Sequence, residues 1–203
     1  MSDSYQPKMP SQEEQDSAID LLKNIGQVMV TWQGIESLVF DVFRYFFAPD
    51  HYDVAAVAFF AVQALETRMQ MIDALMAQFA NEQQIGDWSL IHKKIRKKSK
   101  GRNIAAHGNF VFFGKHPKRK AFLGKSTFDI GKFPKAPAEK DFYSHKELEE
   151  WAKSFILLSK DVHDFLSELK QDQALLLKLR ARPQRVEESD QLYPRVYHIP
   201  QAP

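Results

Sequence analysis

The stretch SQEEQDSAIDLLKNIGQVMVTWQGIESLVFDVFRYFF, Ser11 to Phe47, decides the fold. It opens with Ser11-x-x-Glu14, the form of a capping box, in which serine and glutamate satisfy each other's backbone donors at a helix start. Apolar residues then recur at Ile19, Leu22, Ile25, Met29, Trp32, Ile35, Val39, Val42 and Phe46. Steps of three and four put them on one face of a single long amphipathic helix. Pro49-Asp50 ends it, because proline lacks the donor that a continuing helix needs.

The neighbouring segments read as more helix. A second helix is expected from about Asp53 to Ala80, with Ala61, Leu65, Ile72, Leu75 and Phe79 facing inward. Asn81 to Asp87 reads as a turn. A third helix runs from near Trp88 through Ile91 and Ile95, contains Gly101 as a weak point, and stops at Gly108. Phe110–Phe113 and Ala121–Leu123 are short β-prone runs, so residues 109–143 are expected to form a β-hairpin or ordered loop. Ser144-x-x-Glu147 is a second capping box. It opens a fourth long helix with Leu148, Trp151, Phe155, Leu158, Val162, Phe165, Leu166 and Leu169 on one side, continuing through Leu175–Leu179 to about Arg182. The fold class that follows is all-α, an up-and-down bundle of four long helices with a small insert between helices three and four. Residues 1–10 read as a disordered leader, 11–182 as one helical domain, and 183–203, with Pro183, Pro194, Pro200 and Pro203, as an extended tail. Phe40, Phe43, Phe46, Phe47, Phe59 and Phe60 exceed what one stripe per helix buries. A homodimer interface would absorb the excess.

At 203 residues, with 44% hydrophobic and 27% charged residues, the chain suits one globular domain with a core of its own. It contains no cysteine, which excludes disulfides, thiolate nucleophiles and cysteine-ligated metals. No secretory pattern or membrane-spanning apolar run is present, so a cytoplasmic protein without membrane partners is expected. The histidines and acids show no ligand spacing. Neither a metal nor another cofactor is expected.

The net charge of +2 conceals an asymmetry. Ser11 to Asp87 holds twelve acids against three bases, whereas Trp88 to Phe128 holds twelve bases and no acid. Such a one-sign block marks a candidate polyanion footprint. Its candidate nucleic-acid contacts are Lys93, Lys94, Arg96, Lys97, Lys98, Lys100, Lys118, Arg119 and Lys120. Arg102-Asn103-Ile104-Ala105-Ala106-His107-Gly108 follows the densest part of it. Asn103 and His107 are four apart and stack on one helical face. Arg102 lies roughly 140° round from His107 at helical pitch, which suits a shared anion better than direct contact. A guanidinium can hold phosphate oxygens, and an imidazole can move protons near neutral pH. Asn103 could position the ribose or the imidazole. Arg102, Asn103 and His107 are the candidate catalytic set. One histidine serves as both base and acid only if protons exchange between steps, a problem that a second copy across a dimer axis would solve.

The run resembles the signature of the HEPN superfamily, helical domains carrying Arg-x4–6-His, often with a polar residue after the arginine. Arg102-Asn103-x3-His107 fits the four-spacer form, and its place near the end of the third helix is similar too. The resemblance implies a metal-independent endoribonuclease of toxin or phage-defence type, working as a homodimer with a composite cleft, with an antitoxin or another protein as a candidate partner. Its products would carry 2′,3′-cyclic phosphate and 5′-hydroxyl ends. Many HEPN domains have lost activity, so a non-catalytic module binding nucleic acid or protein is the alternative. A third reading has the proline-rich tail engaging a protein partner.

Plainer explanations apply to the same residues. Arg102 and His107 near a helix end could simply complement the helix dipole and bind backbone carbonyls. Glu36 falls within the stripe Met29, Trp32, Phe40, Phe43, and Arg68 falls within Leu65 and Ile72. A buried Glu36–Arg68 pair is the first expectation, since buried charges need partners. Glu36 orienting Arg102 or His107 is the second.

Overall fold

The computed structural model describes residues 9–48, 50–115, 117–124 and 142–181. Most of the leader, the tail from 182 onward, Pro49 and the insert over 125–141 lie outside the described residues. Helix α1 spans Gln12–Phe47, about 54 Å at 1.5 Å per residue. Its capping box forms: the Glu14 amide donates to Ser11 Oγ at 3.3 Å, and the Ser11 amide donates to Glu14 Oε2 at 3.0 Å. The buried face is Leu21, Val28, Trp32, Ile35, Val39, Val42, Phe43 and Phe46. Near the N-terminus this differs from the expected stripe, since Ile19 and Leu22 point to solvent and Leu21 inward.

The expected second helix is two. α2 covers Tyr52–Phe60 and α3 covers Leu65–Phe79. No glycine or proline marks the break, but tertiary contacts hold it. Arg68 reaches back with Nε to the Val62 carbonyl at 2.6 Å, taking up an acceptor that the broken helix leaves open. The break lets α2 fold its aromatic side over α1. Phe59 lies 5.4 Å from Phe40 and 5.2 Å from Phe43, and both of those rings are buried. Much of the phenylalanine excess is therefore absorbed within one chain. What remains outside is Phe47 and the outer side of α2, with Val54, Val57 and Phe60 exposed.

α4 runs unbroken over Glu82–His107, starting six residues before Trp88 through a capping box between Asn81 and Gln84. Gly101 does not bend it. That glycine admits the Trp151 indole, whose ring atoms would lie 3.3 Å from a β-carbon there. α5 spans His145–Gln171 behind the Ser144–Glu147 box. The chain turns at Asp172, which caps a separate α6, Gln173–Arg180, by accepting from the Leu175 amide at 2.9 Å. The expected continuous helix to Arg182 is therefore broken. α1 touches α2, α3, α4 and α5, and α4 packs between α3 and α5. The molecule is mostly helical, with six helices among the described residues rather than four.

The insert contains a β-hairpin of β1 (Asn109–Phe113) and β2 (Lys120–Gly124), antiparallel from Asn109↔Gly124 to Phe113↔Lys120. A third short strand, β3 (Phe142–Tyr143), pairs with β2 and was not expected. The hairpin docks on the start of α1. The Ala121 amide donates to Ser17 Oγ at 3.0 Å, and Ser11 Oγ donates to the Pro117 carbonyl at 2.6 Å. Among the described residues no helix is long and apolar enough to cross a membrane.

Candidate functional site

One long helix carries almost all of the predicted site, and its neighbours divide that set between two faces. On one side, α4 meets α1 and α3 around a cavity of about 470 Å³. Trp32 and Glu36 come from α1, Gln63 and Ala64 from the break before α3, and Leu65, Glu66, Arg68 and Met69 from the start of α3. His92, Ile95, Arg96, Ser99, Arg102 and Asn103 come from α4. The residues from α4 recur at steps of three and four and so share a face.

Arg102 is held at this wall by weak, directional contacts. Its Nη1 donates to Asn103 Oδ1 at 3.2 Å, and its Nη2 stands 3.6 Å from Glu36 Oε1. Its Nε is buried and has no hydrogen-bond partner among the described residues. Glu36 also accepts a 2.6 Å bond from the Trp32 indole. The Glu36 carboxylate thus sits beside Arg102. Arg68 is engaged elsewhere, by the Val62 carbonyl and against the Phe59 and Phe60 rings at 5.0 and 5.4 Å. The helices' rotation decides this: α1 turns Glu36 toward α4.

His107 is placed differently. It is the last residue of α4, one turn beyond Asn103, exposed and not part of the cavity wall. Arg102 and Asn103 are brought together; His107 is adjacent in sequence but faces solvent.

A second imidazole, His92, lines the cavity without any ligand spacing in the sequence to mark it. His92 Nδ1 lies 3.2 and 3.1 Å from the two oxygens of Asp73, which also accepts the Trp88 indole at 2.8 Å. The opposite nitrogen, Nε2, is buried without a hydrogen-bond partner among the described residues. Both buried side-chain polar atoms in that condition, His92 Nε2 and Arg102 Nε, belong to residues lining this one cavity. Asp73 and His92 are 19 residues apart on different helices, so no spacing rule could join them. The one available signal was a histidine in the cavity-facing i, i+3, i+4 series of α4.

The basic residues divide four ways. Arg96 faces the cavity and stands 3.6 Å from Glu66. Lys94, Lys97, Lys98 and Lys100 line an open groove toward α5, where Lys94 bonds Asp161 at 2.8 Å. Burial, reinforced by Lys97 and Lys94, pushes the Lys98 ammonium below the usual lysine range. Lys93, Lys118 and Lys120 are exposed. Arg119 is bound to Glu14, with Nε at 2.6 Å and Nη2 at 3.3 Å from its two carboxylate oxygens. Glu14 is the buried charged residue of the described chain, so Arg119 joins hairpin to helix, with its own side chain about one-third exposed. No group of three or more metal-ligating side chains is gathered among the described residues. In comparisons of the chain with family models, curated proteins and solved structures, nothing matches.

Proposed function

We propose that this protein is a metal-independent endoribonuclease of HEPN type, acting as a cytoplasmic homodimer on RNA in a toxin or phage-defence role. The observation that carries the reading is Arg102: a cation at a cavity wall whose buried Nε has no partner among the described residues, beside Asn103 and about one turn from an exposed imidazole. A phosphodiester reaching the rim would meet the Arg102 fork. His107 takes the proton from the ribose 2′-hydroxyl as its oxygen bonds to phosphorus. The bond from phosphorus to the 5′-oxygen breaks, and that oxygen takes up a proton. A 2′,3′-cyclic phosphate and a 5′-hydroxyl result, with no water consumed. Asn103 holds Arg102 in place. A second chain's His107 would let one imidazole act as base and the other as acid.

His107→Ala should abolish RNA cleavage in EDTA while the circular dichroism spectrum stays that of the parent. Cleavage at the parental rate would sink the proposal. One observation favours a second reading, a non-catalytic module binding nucleic acid or an acidic partner. His107 lies outside the cavity that holds Arg102. Steeply salt-dependent RNA binding with no cleavage in EDTA would decide for that reading.

A further inference from the structure

The face of α4 that turns toward α5 carries most of the lysines and none of the Arg102 set. Lys94, Lys97, Lys98 and Lys100 rim an open groove of about 910 Å³ whose wall includes Trp151 and Tyr143. The two aromatic rings are 4.8 Å apart and inclined at 56°. Trp151 is held from behind by α4, where Gly101 lets the indole come within 3.3 Å of the position a β-carbon would take. Four ammonium groups face one carboxylate, Asp161, which is already bonded to Lys94. Lys98 feels the repulsion of Lys97 and Lys94, which the attraction of Asp161 offsets only in part. An anion along this rim would relieve that repulsion.

We propose that the groove between α4 and α5 binds single-stranded nucleic acid, with bases against Trp151 and Tyr143 and phosphates on Lys97, Lys98 and Lys100. Aromatic faces reward a flat, unpaired base, and cations in a row track a phosphate backbone. A duplex hides its base faces and would reach only the lysines. An acidic peptide would likewise use the charges and leave the indole idle. The inference takes from the proposed function only the class of polymer. It does not depend on cleavage.

The test uses the full-length chain carrying His107→Ala, so that RNA stays intact. It is titrated with an oligouridine dodecamer, an oligothymidine dodecamer, an RNA duplex of the same length and inorganic polyphosphate of matched charge. Trp32 and Trp88 are 1% and 2% exposed, so quenching of tryptophan fluorescence on binding reports Trp151. Both single strands should quench and bind more tightly than duplex or polyphosphate. Equal affinity for the two sugars assigns recognition to base and phosphate, and a preference for RNA adds the 2′-hydroxyl. Trp151→Leu should weaken single-strand binding about tenfold, as loss of a stacked base does. Lys97→Glu with Lys100→Glu should weaken it further and flatten the salt dependence, whereas Lys146→Glu, outside the groove, should not. If Trp151→Leu fails to fold, the lysine pair and the quenching still decide. Polyphosphate or duplex binding as tightly as single strands, absence of quenching, or no binding at all would overturn the proposal. Loss of RNA cleavage in His107→Ala with groove binding intact bears on the proposed function alone.

Discussion

Glu36 has one carboxylate and two claims upon it. The Trp32 indole is buried and donates to Oε1 at 2.6 Å, while Arg102 approaches the same oxygen at 3.6 Å. The shorter contact serves the core and the longer one the cavity, so two substitutions should separate them. Glu36→Ala strands a buried indole donor and should cost about 1–3 kcal/mol in urea unfolding. Glu36→Gln keeps an acceptor for Trp32 and removes the charge facing Arg102, so its stability should stay within about 1 kcal/mol of the parent. Equal destabilisation by both would show that the charge, not the indole bond, matters. Arg102→Lys tests the other partner. A lysine cannot span Asn103 and a phosphate with one rigid fork. If the proposed chemistry holds, cleavage should fall at least about a hundredfold with Tm little changed. Parental cleavage by the lysine variant would remove Arg102 from the reaction. The sequence alone placed Glu36 in a buried stripe but could not choose its cation. Arg68 and Arg102 both stood at plausible positions, and the choice lies in how the helices are rotated against one another.

Among the elements, the legible ones were those with local signals. Both Ser-x-x-Glu boxes begin helices where expected, because a capping box is closed by residues three apart. The splits at Ala61–Ala64 and Asp172 were not legible. Each is held by a long-range or backward contact: Arg68 to Val62, and Gln84 Nε2 to Asp172 Oδ2 at 2.9 Å. The second junction carries a pH signature. The Leu175 amide, with the Gln84 bond in addition, holds the Asp172 carboxyl below the usual aspartate range. A folded-state pKa below the unfolded value means stability present above about pH 4 and lost as pH falls through the lowered value. Asp172→Asn can still cap α6 but cannot titrate. Unfolding measured from pH 7 downward should show the parent's advantage over this variant shrinking below about pH 4. A difference constant down to pH 2 would contradict the assignment. Gly101 inside α4 and Gly108 at its C-cap make opposite predictions. At Gly108 a β-carbon would meet the Ile104 and Gly124 carbonyl oxygens at 2.6 and 2.7 Å, both backbone, so the hairpin must move. Gly108→Ala should cost about 1–3 kcal/mol. At Gly101 the obstacle is a side chain at 3.3 Å, and alanine's helix preference, about 1 kcal/mol, offsets it. Gly101→Ala should be near neutral in urea unfolding.

Across the whole molecule, charge is sorted by what each element faces, and the linear basic block concealed this. Among its described members, Arg96 and Arg102 serve a cavity, Lys94, Lys97, Lys98 and Lys100 a groove, and Arg119 a strut, while Lys93, Lys118 and Lys120 are exposed. The strut is Arg119, which ties β2's approach to the first turn of α1 across 105 residues of sequence. Glu14 is fully buried, while the Arg119 side chain is about one-third exposed. The pair therefore includes one costly desolvated charge and one partly hydrated partner. Removing the partner alone leaves Glu14 without its guanidinium, and such losses are typically about 3–5 kcal/mol. The partial hydration of the Arg119 side chain and the remaining contacts of Glu14 place the expectation for Arg119→Ala at the lower end, about 3 kcal/mol. Adding Glu14→Gln removes the buried charge itself, so the double variant should recover part of the loss. A urea double-mutant cycle checks this. Additive losses would show that the two side chains do not act as a unit. The same variants separate fold from polyanion binding. With Arg119 spent on Glu14, Arg119→Ala at temperatures where the chain is folded should leave oligouridine affinity close to the parent's, whereas Lys97→Glu with Lys100→Glu should not. A large affinity loss from Arg119→Ala in the folded protein would return that arginine to the nucleic-acid surface that the basic run alone suggests.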